Sequence, residues 1–244
     1  GSVLPAFLLG EMAIGSEQDL LSSRYLSFIQ NSVTLGVVAA IVTVGAAVLL
    51  GSLYRSRQTG FTTSALYLGR LGYAVPGGVI AVGLMVPFAA LDNALDAFAR
   101  AQFGMSTGLL FTGSIWLLVG AYMIRFMAAA IGSYEGGAAT MNSNMDLAAR
   151  VLGQNRWGVV RRVHFPLLRP SLLTALLIIF VDVMKELPAT LIMRPFNFDT
   201  LAVQAHRLAA DERLEGAAVP SLVIAAIGLL PVLLLCRQIR RGRS

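Results

Sequence analysis

The sequence predicts an all-α, polytopic bundle of membrane-spanning helices. Of its 244 residues, 56% are apolar and only 13% are charged, and the mean hydropathy is +0.72. Soluble domains carry roughly 25% charged residues, so about half of the usual charged surface is missing. Lipid is therefore predicted to be the main solvent of this chain.

Five segments are long and apolar enough to cross a bilayer. A helix that crosses about 30 Å of hydrocarbon needs roughly 20 mainly apolar residues, because lipid offers backbone groups no partners. The predicted spans are residues 33–53, 71–91, 103–124, 170–193 and 217–236. The second contains Pro76, Gly77 and Gly78, which favour a kinked or broken helix. Such a break is either ordinary tolerance in a membrane helix or a flexible element that lines a pore.

The distribution of arginine predicts the orientation, since short cytoplasmic loops are enriched in Lys and Arg. Acidic residues outnumber basic ones before the first span. The loop after the second span likewise has two acidic residues, Asp92 and Asp96, against one basic residue, Arg100. The loop after the third span is strongly basic, with Arg125, Arg150, Arg156, Arg161, Arg162 and Arg169. We therefore expect the N-terminus outside and the C-terminus in the cytoplasm.

These patterns divide the chain into three parts. Residues 1–28 are expected to form an outer segment, whose apolar start is the tail of a preceding span or an interfacial stretch. Residues 29–238 form the transmembrane domain, and residues 239–244 form a basic cytoplasmic tail. The net charge of +6 comes almost wholly from arginines between apolar runs, so it indicates topology and lipid contact and not nucleic-acid binding. Cys236 is the only cysteine, which excludes an intrachain disulfide.

A helix–glycine–helix hairpin is predicted between the third and fourth spans. Ser143 and Asp146 have the spacing of a capping box and can start a short helix. Gly153 can end that helix by turning the chain. Residues 156–163 can form a second short helix, which Pro166 is expected to help terminate.

In this hairpin the sequence resembles the permease subunits of binding-protein-dependent ABC importers of type I. Their loop motif reads Glu-Ala-Ala, three residues, Gly, nine residues, then Ile-x-Leu-Pro. This chain departs from it at Leu147, in the place of Glu, and at Phe165, in the place of Leu. The resemblance implies that the loop docks as coupling helices on an ATPase subunit, through Asp146, Ala148, Ala149, Arg150, Gly153, Val163 and Pro166.

A finer resemblance is to the C-terminal half of fused ferric-iron permeases. It is carried by residues 72–77, 181–190 and 194–202 and extends over most of the chain. It implies a bacterial inner-membrane protein that forms a path for a substrate, ferric iron, delivered by a periplasmic binding protein. The implied partners include a second permease half, fused upstream or separate. ATP would bind to the ATPase subunit, and this chain would hold no cofactor.

No catalytic constellation is visible in the sequence. It lacks a nucleotide-binding loop, a zinc-protease motif and a serine nucleophile motif. His164 and His206 are about forty residues apart without a cysteine partner, so we expect no metal site from them. An intramembrane enzyme is therefore disfavoured, and the rival to an ATP-driven permease is a secondary transporter or channel driven by an ion gradient.

Asp182 and Glu186 are the candidates for a polar site on the translocation path. At positions i and i+4 they would share one helix face, with Lys185 close to Asp182. If the span starts near Pro170, Asp182 lies about 18 Å into it. Such charges usually face protein or water, so a network that only fixes helix packing is the alternative to a transport role. Residues 200–218 are expected to form one or two short outer helices, capped by Thr200 and Asp211.

Overall fold

Every regular element in the described part of the chain is helical. The computed structural model describes residues 3–16, 22–139, 141, 145, 148–149 and 151–241. The helices, numbered in chain order, are α1 (Val3–Ile14), α2 (Ser23–Ser56), α3 (Gly60–Leu71), α4 (Gly77–Phe103), α5 (Ile115–Ala138), α6 (Arg156–Val159), α7 (Phe165–Met184), α8 (Pro188–Met193), α9 (Leu201–Ala210) and α10 (Leu214–Arg241).

Five helical segments of the described residues are long and apolar enough to cross a membrane, which confirms the predicted number. They are Ser23–Arg55, Gly77–Phe103, Ile115–Ala138, Trp157–Met184 and Leu214–Leu233. The predicted bounds are displaced most at the third span. Residues 104–114 were predicted to be helical but form a loop, and α5 begins only at Ile115.

Two features explain this loop. Gly104, Gly108 and Gly113 all have positive φ, a conformation that ends a helix. Asp92, placed by the sequence in an outer loop, instead lies within α4 and is fully buried. Its carboxylate accepts hydrogen bonds from the backbone N–H groups of Leu110, Phe111 and Thr112 and from the Thr112 hydroxyl at 2.6 Å. Asp96, also in α4, binds the N–H of Thr107 and Gly108.

Arg125 was predicted to lie in the basic loop after the third span, and this prediction is wrong. It is the eleventh residue of α5, so it lies about 15 Å from the start of a 24-residue helix. Ten mainly apolar residues precede it within the helix. Arg125 is therefore a charge near the middle of a span.

The predicted break in the second span is present. Helix α3 ends at Leu71, a 3-10 turn covers Gly72–Ala74, and α4 begins at Gly77 after Pro76. The break packs tightly on α5, because a Cβ added to Gly72 would overlap the carbonyl oxygen of Ile124. We call residues 72–76 the first break.

The fourth span differs from its prediction at both ends. Pro166 does not terminate a helix: a π-helical turn, Val160–His164, connects α6 directly to α7. In this turn the N–H of Phe165 bonds to the carbonyl of Val160, a widening immediately before a residue that has no N–H. At the other end, residues 185–187 interrupt the predicted helix before α8. We call residues 185–187 the second break.

The core lies between α2, α5 and α7. Leu35, Leu118 and Ile179 are among its fully buried side chains. Helix α7 is antiparallel to α5, since Gly137 packs against Leu168 and Ser171 while Glu186 lies near Arg125. About 12 residues of α6, the π turn and α7 therefore extend roughly 18 Å beyond α5. We call this end of the bundle, which also holds Gly153, the hairpin end.

Candidate functional site

The two helix breaks meet beside Arg125. Its Nη1 donates a hydrogen bond to the carbonyl oxygen of Val75 in the first break at 3.4 Å. Its Nε lies 4.0 Å from Oε1 of Glu186 in the second break. Discontinuous helices whose ends meet inside a membrane are typical of transporter substrate sites, because unwound backbone is tolerated only where protein or a cavity covers it.

Glu186 is buried, and its carboxylate is hydrogen-bonded. Its side chain is 3% exposed, and its Oε2 accepts the backbone N–H of Ala189 at 3.1 Å and of Thr190 at 3.3 Å. These are the unpaired N–H groups at the start of α8, where a carboxylate is favourable. The Thr190 hydroxyl donates to the Glu186 carbonyl at 2.6 Å and shares a hydrogen bond with Tyr122 at 2.5 Å. Glu186 thus anchors α8 to α5.

A polar cavity of about 270 Å³ opens between the breaks. Asp182 and Lys185 pair at 2.9 Å at its rim, with side chains that are 17% and 63% exposed. Its charged lining is balanced, with two carboxylates and two cations. We call this the break cavity; its lining residues are Tyr73, Arg125, Phe126, Asp182, Lys185, Glu186, Leu187 and Pro188.

The predicted geometry of Asp182 and Glu186 is partly wrong. Helix α7 ends at Met184, so the two carboxylates do not share a helix face at i and i+4. Both nevertheless line the break cavity, and the predicted pairing of Lys185 with Asp182 is present. Ser171 is level with the end of α5, and Asp182 follows it by eleven positions. Asp182 therefore lies about 16 Å from that level, measured along the span. The depth predicted from Pro170 agrees with this value.

The predicted coupling segment forms a sharp turn at the hairpin end. Asp146 and Arg150 lie outside the described residues, as does Ser143. Ala148 and Ala149 are helical, the N–H of Gln154 bonds to the carbonyl of Ala149 at 3.0 Å, and Gly153 has φ +79°. This is a helix that ends in a left-handed residue, as the sequence predicted.

Apolar side chains of this turn point away from the bundle. Val151 is 87% exposed, and Leu152 and Trp157 are also exposed. Of the motif's other residues, Val163 is half-buried and Pro166 is exposed, while His164 is buried beside them. Exposed apolar groups flanked by the exposed Arg161 and Arg162 form a surface suited to a protein partner.

The segment at the opposite end agrees in part with its prediction. Thr200 caps α9, and its hydroxyl accepts the N–H of Val203 at 3.4 Å. Asp211 does not start a helix: it follows the last residue of α9, and α10 begins at Leu214. The segment therefore contains one short helix and the start of a long one.

Sequence reasoning missed Arg125, its partner Val75, and Tyr122, which bonds to Thr190. The signal for Arg125 was present, since a single arginine stands within the otherwise uncharged stretch from Ile115 to Tyr134. Val75 and Tyr122 carry no such signal. Among the described residues, no group of three or more His, Cys, Asp or Glu side chains could hold a metal ion.

Known proteins are similar to this chain in sequence and in fold. No protein-family model matches the chain. It is 25% identical over 219 residues to the Fe(3+)-transport system permease protein FbpB 2 of Haemophilus influenzae, which covers 87% of this chain and 39% of that protein. It is 27% identical over 215 residues to PhnV of Salmonella typhimurium, whose name assigns it to 2-aminoethylphosphonate transport; this match covers 86% of the chain and 73% of the relative.

Two solved structures have the same fold. One is a bacterial alginate ABC transporter in complex with a periplasmic protein that holds an alginate pentasaccharide, with a TM-score of 0.76, 16% identity and coverage of 98% of this chain and 88% of that one. The other is a bacterial ABC transporter involved in alginate import, with a TM-score of 0.72, 15% identity and coverage of 98% and 89%. The chain therefore resembles, in sequence, permease proteins of two bacterial transport systems and, in fold, a chain of two solved ABC transporters.

Proposed function

We propose that this chain forms one wall of the translocation path of an ATP-driven importer. Its partners would be a separate ATPase that binds ATP, a periplasmic binding protein and a second permease half. The observation that carries the proposal is the arrangement along one continuous segment. The turn at Gly153 leads into α6, and from α6 the chain is helical through the π turn and α7 to the second break, so a force on the turn would be carried to the break cavity.

The proposed coupling surface is the hairpin end. Asp146, Ala148, Ala149, Arg150, Gly153, Val163 and Pro166 would form or support the docking turn. The extension of roughly 18 Å beyond α5 makes this turn accessible to a soluble partner. Exposed Val151 and Leu152 provide the apolar contact that a stable interface needs.

In the proposed orientation, the hairpin end is cytoplasmic and the N-terminal segment lies outside. The exposed Arg161 and Arg162 of the π-helical turn support this orientation, because short cytoplasmic segments are enriched in arginine. The loop that carries α9 would then face the periplasm, where a binding protein could contact it.

Ferric iron is the first candidate cargo, supported by the resemblance to ferric-iron permeases and by the iron-transport relative. A phosphonate is the second, supported by the PhnV relative. The break cavity has no excess of carboxylates to hold a hard cation, so Asp182 and Glu186 would provide a polar passage and not a set of metal ligands.

Uptake into proteoliposomes tests this proposal. The complete importer would be reconstituted with its ATPase and binding protein, and accumulation of radiolabelled ferric iron and of 2-aminoethylphosphonate measured with and without ATP. ATP-dependent accumulation of one cargo is expected. If neither cargo accumulates in an ATP-dependent manner, the proposed cargo assignment is wrong.

A further inference from the structure

A second concave surface lies at the end of the bundle opposite the hairpin. Its volume is about 560 Å³, and it is formed by the exposed side of α8, the loop after it, and one arginine each from α2 and α9. We call it the arginine basin. Its charged residues are Arg24, Arg194, Asp199 and Arg207.

Asp199 holds two of the three guanidinium groups in place. Its carboxylate pairs with Arg194 and, at 3.4 Å, with Nη1 of Arg207. The side chains of Arg194 and Asp199 are only 25% and 15% exposed. Asp199 is itself fixed, because the Asn31 side chain donates to its carbonyl oxygen at 3.0 Å. The donors of the basin are therefore positioned before any ligand arrives, which lowers the entropy cost of binding.

Arg24 makes the charge of the basin unbalanced. Its guanidinium stacks 5.8 Å from the ring centroid of Phe28, and no carboxylate of the described residues forms an ion pair with it. Among the described residues that line the basin, three guanidinium groups face one carboxylate, which gives a formal charge of +2. Forked guanidinium donors match the oxygens of phosphate, phosphonate and carboxylate groups.

Helix α8 connects the arginine basin to the break cavity. Pro188 at its start lines the cavity, and Leu191 and Ile192 near its end line the basin. Three to four helical positions, a rise of about 5–6 Å, separate Pro188 from Leu191 and Ile192. A ligand in the basin therefore lies one short helix away from the proposed path.

Building on the proposed function, we infer that the arginine basin is an oxyanion-binding site at the mouth of the path. It selects cargo that carries phosphate, phosphonate or carboxylate oxygens, including a metal ion inside an anionic complex. A bare trivalent cation is repelled by the same charge. The substrate class is thus set by charge before the cargo reaches the break cavity.

The test is a titration with inorganic phosphate. Phe196, which is 96% exposed on the basin, is replaced by cysteine in a Cys236→Ser background and labelled with an environment-sensitive dye. The complete importer is placed in phosphatidylcholine liposomes without ATP, and chloride keeps the ionic strength constant. A saturable change in fluorescence is expected, with an apparent Kd raised about tenfold or more by Arg24→Gln or Arg207→Gln.

Arg213→Gln is the matched control, because Arg213 is an exposed arginine near α9 but outside the basin. It should leave the titration unchanged. No saturable response in the wild-type complex, or an equal loss in Arg213→Gln, would overturn the site. The titration is then repeated in liposomes with added phosphatidylglycerol. A raised apparent Kd for phosphate identifies lipid headgroups as a second source of the oxyanion, whereas an unchanged value identifies the soluble anion alone. Both outcomes support the basin.

The two proposals fail separately. Because the titration needs no ATP, absent phosphate binding together with normal ATP-dependent uptake removes the basin and leaves the importer. Saturable phosphate binding without ATP-dependent uptake removes the importer and leaves the basin.

Discussion

The guanidinium Nε of Arg125 lies 4.0 Å from the carboxylate of Glu186, and the same side chain donates a hydrogen bond to the carbonyl of Val75. Arg125, a residue of the unbroken helix α5, therefore contacts both helix breaks. If the two breaks move apart, at least one of these contacts must lengthen. Arg125 is consequently one point at which movement of α7 and α8 is linked to α3 and α4.

Replacing Glu186 with glutamine should destabilise the bundle. The buried carboxylate stabilises the start of α8 and pairs with Arg125, so its loss should cost about 1–3 kcal/mol. Glu135→Gln is the control, because Glu135 pairs with Arg70 while both side chains are more than 40% exposed, and its cost should stay below about 1 kcal/mol. Thermal unfolding in detergent measures both. Equal shifts in Tm would show that burial of Glu186 contributes nothing.

Asp182→Asn should separate a transport role from a packing role. Its partner Lys185 is largely exposed, so loss of the pair should change stability by less than about 1 kcal/mol and leave assembly normal. We expect uptake to fall while Asp211→Asn, an exposed carboxylate outside the cavity, transports normally. Wild-type uptake kinetics in an assembled Asp182→Asn, Glu186→Gln double variant would eliminate the path role of both residues.

Gly77 and Gly78 offer a matched pair at the first break. A Cβ on Gly77 would overlap Oε1 of Glu186 and crowd Arg125, whereas a Cβ on Gly78 would meet its nearest atoms at 3.8 Å. Gly77→Ala should therefore destabilise the protein by about 1–3 kcal/mol. Gly78→Ala should be neutral or slightly stabilising, since it lowers the conformational entropy of the unfolded chain without a clash in the folded one. The Tm values of the two variants are compared in the same detergent. An unchanged Tm for Gly77→Ala would contradict the close packing of the breaks.

Gly153→Trp should uncouple ATP hydrolysis from uptake while leaving membrane insertion intact. A tryptophan would strain the positive φ of the turn and enlarge a surface that we propose to be docked. Gly104→Trp is the control: Gly104 also has positive φ and open space around it, but it lies in the loop after α4. If Gly153→Trp keeps both stimulated hydrolysis and uptake, the coupling role of the hairpin is wrong.

A cysteine at Ala210 should report the orientation. Ala210 is exposed at the end of α9, and Val151 is exposed at the hairpin. In a Cys236→Ser background, an impermeant thiol reagent added outside cells should label Ala210→Cys and not Val151→Cys. Labelling of Ala210→Cys only from the cytoplasmic side would reverse the topology.

Hydropathy predicted the class of fold and the number of spans because lipid selects apolar segments of fixed length. Composition could not predict their exact bounds. Residues 104–114 carry no charge, and they leave the helix because of glycine backbone conformations and because the N–H groups of residues 110–112 bond to Asp92, at least eighteen positions away. The depth of Asp182 was predictable, since the rise of a helix fixes it once one end is known.

The contacts of the site were beyond sequence reasoning. Arg125 was misplaced because the enrichment of arginine in loops does not hold for a charge that has apolar residues on both sides. The pairing of Arg125 with Glu186 joins an α5 residue to a residue of the second break sixty-one positions away, and only tertiary packing brings them together. Pro166 was misread because a π-helical turn can absorb a proline that would end a regular helix.

The source of energy for uptake tests the central claim most directly. Cargo accumulation would be measured in proteoliposomes that contain the complete importer and its binding protein, with ATP at the ATPase side and with ionophores that collapse every ion gradient. The account predicts accumulation that requires ATP and survives the ionophores. Accumulation driven by an imposed ion gradient without ATP, and abolished by the ionophores, would contradict it and indicate a secondary transporter.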